Sequence, residues 1–199
     1  MKYGVQMYLF RSRCRTKEQT LRTIRRVADM GWDGIELFQS ADIPAERIRS
    51  AAGSCEILNP MLWPKHFEPA RIQKTCDWLK ALGAKTAAYN TIPVLHTGPK
   101  AYRQYNPKYV EIAKTFDENA LTFCHHNQKE EYRVTDGRVM KCCLSGEGVI
   151  PLREILSRME ADGYAGTYAL EFSHPEKYPA DLIQNTAQLR EHLLFLKSV

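Results

Sequence analysis

Apolar positions along the chain keep two rhythms that alternate with each other. Leu21, Ile24, Val27 and Ala28 recur at the spacing of one helix face, and so do Leu152, Ile155, Leu156 and Met159. Each stripe runs into Gly-x-x-Gly and then a short apolar segment: Gly31 and Gly34 before a strand ending at Phe38, Gly163 and Gly166 before one ending at Phe172. A third copy, CDWLKALGAKTAAY, sets Gly83 between a helix ending near Leu82 and a strand from Ala84 to Tyr89. Helix, glycine and strand repeated in this order predict a parallel sheet covered by helices. The expected strands are Tyr3 to Leu9, Gly34 to Phe38, Cys55 to Met61, Ala84 to Tyr89, Leu121 to His126, Arg138 to Leu144 and Thr167 to Phe172. A polar, proline-containing interval from Thr91 to Pro107 reads as a long loop leading into a helix over Lys108 to Asn119.

Successive side chains of a strand face opposite ways. In the last strand Tyr168, Leu170 and Phe172 share one face, and Thr167, Ala169 and Glu171 the other. The same rule sets Gln6 and Tyr8 against Val5, Met7 and Leu9, His126 against His125, and Cys143 against Cys142 and Leu144. With the bulky apolar sets under helices, Gln6, Tyr8, His126, Cys143 and Glu171 point inward, and His125 outward. A carboxylate such as Glu171 closing an apolar strand needs a cation or a reaction to offset its burial.

Composition narrows the class. The chain has 199 residues, 44% of them hydrophobic, and no Ser/Gly or Pro-rich linker divides it, so one domain over 1–199 is expected. No apolar run approaches the ~18 residues of a membrane span, and the first residues lack a small-residue cleavage site, which predicts a cytoplasmic protein without a membrane partner. Net charge is +5, with Arg11, Arg13, Arg15, Lys17, Arg22, Arg25 and Arg26 clustered. Arg22, Arg25 and Arg26 fall on the polar side of their helix, so a solvated face is expected there in place of a nucleic-acid surface. Six cysteines without zinc or disulfide spacing are expected to be free thiols.

Five segments taken together, in order along nearly the whole chain, carry a family likeness: GVQMYLFR at Gly4, DMGWDGIELF at Asp29, LGAKTAAY at Leu82, FCHHNQKEEYRVTDG at Phe123, and GEGVIPLREIL followed by GYAGTYALEF. They resemble the sugar phosphate isomerase/epimerase group of the xylose isomerase-like TIM barrels. The resemblance implies an α/β fold, a TIM (β/α) barrel, and proton transfer next to a sugar carbonyl with help from a divalent metal ion (Mn, Mg, Co or Zn). It places Glu171 on the metal-binding glutamate of the last strand, His126 on a ligand of the fifth, and Cys143 near the histidine of the seventh. Glu171 and His126 are the implied catalytic residues. Gln6, Tyr8, Glu36, Trp63, His66 and Glu131 are candidates for binding a small sugar or polyol, with Trp63 and His66 in the loop NPMLWPKHFEP suited to stacking and hydrogen bonding.

The pattern departs from the family between Asp136 and Gly146, where fewer than ten residues replace a ligand-bearing strand, a helix and a further strand. A barrel shortened by about one βα unit between strands 5 and 8 is therefore expected. The segment before Leu121 also lacks its usual glycine turn. Alongside an isomerase or epimerase stands a second reading, a non-catalytic or degenerate sugar-binding paralogue that has lost part of the metal site. Abasic-site DNA repair, found on the same barrel class, calls for a denser set of histidines, and no nucleic-acid partner is expected. An open sheet edge favours pairing between chains, so a homo-oligomer is expected.

Overall fold

The computed structural model describes residues 2–90, 99–126, 152–170 and 194. These fall into two compact units, one from 2–35, 51–55 and 152–170, the other from 36–50, 56–90 and 99–126.

In the first unit, strand β1 (Lys2–Gln6) pairs in parallel with β7 (Thr167–Leu170), Tyr3 opposite Tyr168 and Val5 opposite Leu170. On its other side β1 neighbours β2 (Gly34–Glu36). Helix α1 (Lys17–Ala28) begins where Thr16 accepts a hydrogen bond from the Gln19 amide at 3.2 Å, a serviceable N-cap. It buries Leu21, Ile24 and Val27 and leaves Arg22, Arg25 and Arg26 in solvent, the division expected of its pattern. Gly31 and Gly163 have φ of +87°, the left-handed turn that lets each helix hand over to a strand. In α5 (Leu152–Ala161) the expected stripe is narrower: Leu156 is buried, Met159 half-buried and Ile155 41% exposed.

The second unit carries a parallel sheet in the order β4 (Met61–Leu62), β5 (Thr86–Tyr89), β6 (Thr122–His125). A parallel bridge from Phe38 to Met61 continues the ladder. Helix α2 covers Ala45–Ala52, and helix α3 (Ile72–Leu82) ends at Gly83, whose φ of +75° allows its amide to reach the Leu79 and Lys80 carbonyls. Helix α4 (Pro99–Glu118) packs Tyr109 and Phe116 against Phe123 of β6, and Ile112 is buried.

Four expectations are corrected. The first strand stops at Gln6, and a 3-10 helix over Met7–Arg13 follows, so Tyr8 is placed by a helical turn and strand alternation does not aim it. The segment Cys55 to Met61 is two short strands, β3 (Glu56–Ile57) and β4, because Pro60 has no amide for the ladder; its carbonyl still accepts from Ala88 at 2.9 Å. Helix begins at Pro99, eight residues before the end of the expected loop. Proline at a helix start gives up an amide that has no partner there anyway, and packing of the Tyr109, Ile112 and Phe116 stripe outweighs the ~3 kcal/mol cost of Pro107 inside. The missing glycine before β6 is supplied by Ala120 at φ +55°, a left-handed alanine that closes α4 with the Leu121 amide on the Phe116 carbonyl at 2.9 Å. The expected strand at Arg138 and the stretch between Asp136 and Gly146 lie outside the described residues.

Candidate functional site

Register fixes which side chains of the second unit share a face. Residues paired across parallel strands point the same way, so Ala87 and Tyr89 go with Phe123 and His125, and Ala88 goes with Met61 and Cys124. Ring contacts settle which face meets the helices. Phe123 lies 5.8 Å from Phe116 and 5.5 Å from Tyr109 of α4, and His125 lies 5.7 Å from Tyr109. His125 therefore faces the helix layer, as alternation predicts.

The other face carries the polar groups. Phe38 opposite Met61 brings Glu36 and Asn59, two residues earlier on each segment, to the same side. The Asn59 amide donates to Glu36 Oε1 at 3.2 Å. Asn90 and His126 extend that face past β5 and β6, and the His126 amide donates to the Tyr89 carbonyl at 3.1 Å. Glu36 and Asn90 are buried, Cys124 and His126 half-buried. Glu36 ends β2, and Asn90 and His126 follow the C-terminal ends of β5 and β6, the end on which barrel enzymes build their sites, whereas Asn59 precedes β4 and Cys124 lies within β6.

Electrostatics tie part of this face together. Burial pushes the Cys124 thiol above its ordinary pKa, and the carboxylate of Glu36 pushes it further, so the thiol stays protonated at neutral pH and is a poor nucleophile. Asn59 Oδ1 is buried without a hydrogen-bond partner among the described residues, an acceptor left over for a donor such as a hydroxyl.

The other candidates are placed as follows. Gln6 is 1% exposed at the end of β1 in the first unit. Tyr8 is half-buried, with the Arg11 guanidinium 4.2 Å from its ring centre. Trp63 is 41% exposed just after β4, where it opens a 3-10 helix over Pro64–Phe67. His66 belongs to that 3-10 turn and lines a recess against α3, among residues that do not include Glu36 or His126. Cys143, Glu131 and Glu171 lie outside the described residues. Among the described residues no three His, Cys, Asp or Glu side chains come together to hold a metal ion, and His126 is the one member of the expected ligand set that falls inside them. Asn59, Asn90 and Cys124 are not among the residues expected to form a site, although the alternation that turns His126 inward places Cys124 on the same face.

No sequence-family model and no curated protein sequence matches the chain. Among solved structures it is similar to a sugar phosphate isomerase/epimerase from Parabacteroides distasonis ATCC 8503, with 10% identity and a TM-score of 0.69 over 100% of this chain and 94% of that one. D-psicose 3-epimerase, solved in the presence of D-fructose, matches with 15% identity and a TM-score of 0.70 over 100% of this chain and 99% of that one. L-ribulose 3-epimerase gives 15% identity and 0.69 over 98% and 93%. The chain thus shares the α/β fold of these TIM-barrel structures, with parallel strands. Among the described residues no helix is long and apolar enough to cross a membrane.

Proposed function

We propose that the protein is a sugar isomerase or epimerase that moves a proton next to the carbonyl of a small sugar or polyol-derived ketose. The observation that carries this reading is the buried Glu36 carboxylate, hydrogen-bonded to Asn59 on the same strand face as His126. Carboxylate and amide are the groups that hold sugar hydroxyls in a fixed orientation. Glu36 and Asn59 orient the hydroxyls. Glu171 takes the proton from the carbon beside the carbonyl, the C–H electron pair passes into an enediolate, and His126 donates to the developing oxyanion. Return of the proton to the opposite side of the same carbon gives the epimer; return to the neighbouring carbon gives the isomer.

The test uses the full chain in deuterium oxide with D-fructose or D-psicose. Solvent deuterium is expected at the carbon beside the carbonyl, read by NMR, and exchange is expected to vanish in Glu171→Ala. Unchanged turnover in that variant removes the mechanism. Saturable ketose binding with no exchange in the unaltered protein favours the second reading, a sugar-binding paralogue without catalysis. The metal-assisted form of the reaction, with Glu171, His126 and Cys143 as ligands, is the sharper proposal: about one equivalent of divalent metal per purified chain, lost in Glu171→Ala. A cytoplasmic homo-oligomer completes the reading, and a monodisperse monomer in light scattering contradicts that part.

A further inference from the structure

Outside the strand face, the second unit holds a recess of about 420 Å³ with a chemistry of its own. One wall is α3 and the residue before it. Arg71, Lys74, Thr75 and Trp78 follow one another at the i, i+3, i+4, i+7 spacing that puts side chains on a single helix face. His66 and, from the turn after β2, Ala41 and Asp42 complete the lining.

Two of the polar groups are already committed. The Thr75 hydroxyl bonds the His66 carbonyl at 2.8 Å and the Arg71 carbonyl at 3.2 Å, and the Trp78 indole N–H donates to the Ile43 carbonyl at 2.9 Å. Trp78 therefore offers only its ring. Arg71 and Lys74 form no ion pair among the described residues, and neither does Asp42. Counting charges, two permanent cations face one carboxylate, and His66 adds a third positive charge when it protonates.

The local field agrees with that count. Burial holds the His66 imidazole below its ordinary pKa, Lys65 and Arg71 hold it down further, and Asp42 opposes them without prevailing. Burial is the larger cause and the cations add to it, so an anion entering beside Arg71 and Lys74 offsets only the part that the cations contribute. Arginine's planar fork suits a tetrahedral oxyanion, lysine adds a point charge, and a neutral imidazole can donate one more hydrogen bond. The volume exceeds what a bare ion fills and has an aromatic wall.

We propose that this recess binds a small phosphate monoester, with the phosphate held by Arg71 and Lys74 and the body of the molecule laid against Trp78. Asp42 then accepts hydroxyls of that body, which makes a sugar phosphate the fitting class. Because anion entry offsets the cations around His66, binding draws a proton onto the imidazole. Affinity for a fixed dianion rises as pH falls through the His66 titration, with Asp42 supporting and Lys65, Arg71 and Lys74 opposing protonation.

Calorimetric titration of the full chain tests this with inorganic phosphate, a hexose 6-phosphate and sulfate. Saturable binding is expected, the ester tighter than inorganic phosphate, and at least tenfold weaker in the double variant Arg71→Ala/Lys74→Ala. These side chains are exposed, so circular dichroism and melting are expected to match the unaltered protein. Asp42→Asn is expected to tighten inorganic phosphate a few-fold by removing a like charge. Sulfate, which does not titrate between pH 5.5 and 8, is expected to bind more tightly at the lower value, and His66→Gln to flatten that difference. Absence of saturable phosphate binding overturns the proposal, as does an unchanged affinity in the double variant. Preference for phosphatidic acid vesicles over the hexose phosphate overturns its small-molecule form.

Discussion

On the helix side of β5 and β6, Tyr89 and Phe123 sit among Phe67, Tyr109 and Phe116, with ring centres 5.0 to 6.3 Å apart. One residue further along each strand the chain presents Asn90 and Cys124, and beyond them His126. The four residues of β6 and the histidine that follows them thus serve two environments. Each buried aromatic contributes ~1.5–3 kcal/mol by leaving water, whereas each buried polar group on the opposite face costs free energy unless it is bonded. The difference shows that stability is concentrated on one side of the strands, which leaves the other side free to hold groups that a core would reject.

The comparison breaks most visibly at Phe116. Its ring is fully buried between Phe67 and Phe123, so Phe116→Ala is expected to cost about 3–5 kcal/mol in denaturant unfolding. A loss below 1 kcal/mol would mean that the aromatic face is not the stabilising one. Tyr89 sharpens the same side. Burial, then Tyr105 and Glu68, push its phenol up to about 12 from an ordinary value of 10.0. Below pH 10 the phenol is neutral in both states and nothing is lost; between 10 and 12 the unfolded chain ionises first, so the folded state loses stability as pH rises. At ~1.4 kcal/mol per unit the loss reaches at most roughly 3 kcal/mol. Tyr89→Phe is expected to remove that alkaline loss, and at neutral pH to be neutral or slightly stabilising, because the hydroxyl has no partner among the described residues. Parallel alkaline melting curves for the two proteins would refute it.

For the polar face the readout moves from stability to ligand. Glu36→Gln keeps shape but removes a charge, and is expected to weaken ketose binding about tenfold, the worth of one hydrogen bond to a charged group, while shifting unfolding by no more than about 1 kcal/mol. A large fall in stability with unchanged affinity would make Glu36 a structural partner of Asn59 and nothing else.

Much of this division was legible in the chain. Helix stripes such as Leu21, Ile24 and Val27, the glycines at 31, 83 and 163, and the alternation that separates His125 from His126 all follow from local periodicity, which reports geometry directly. What escaped depends on neighbours distant in sequence. Nothing near Tyr8 reveals that β1 gives way to a 3-10 turn, and a helix from Pro99 through Pro107 contradicts local preference until α4 packs on β6. His66 reads as a sugar-binding residue in NPMLWPKHFEP, yet a single turn of 3-10 helix carries it to the recess against α3. Asn59 has no motif at all, and its place emerges only when the Phe38 to Met61 bridge sets the register. Glu171 and Cys143, the residues on which the family resemblance leans hardest, lie outside the described part of the chain.

The smallest expected effect is also the most local test of the polar face. Cys124 owes its raised pKa to burial first and to Glu36 second. Removing the carboxylate charge withdraws only the lesser cause, so the thiol's pKa falls toward its ordinary value without reaching it. Alkylation proceeds through the thiolate, and Glu36→Gln is therefore expected to speed reaction of Cys124 with iodoacetamide a few-fold near pH 8, followed by mass spectrometry of the modified peptide. Cys14, whose thiol is raised by burial and opposed by hydroxyls of Thr23 and Thr20 in the other unit, provides the internal control and is expected not to change. Equal acceleration at both cysteines would signal general loosening of the fold. No acceleration at Cys124 would separate Glu36 from β6 and dissolve the shared polar face on which the sugar-binding reading depends.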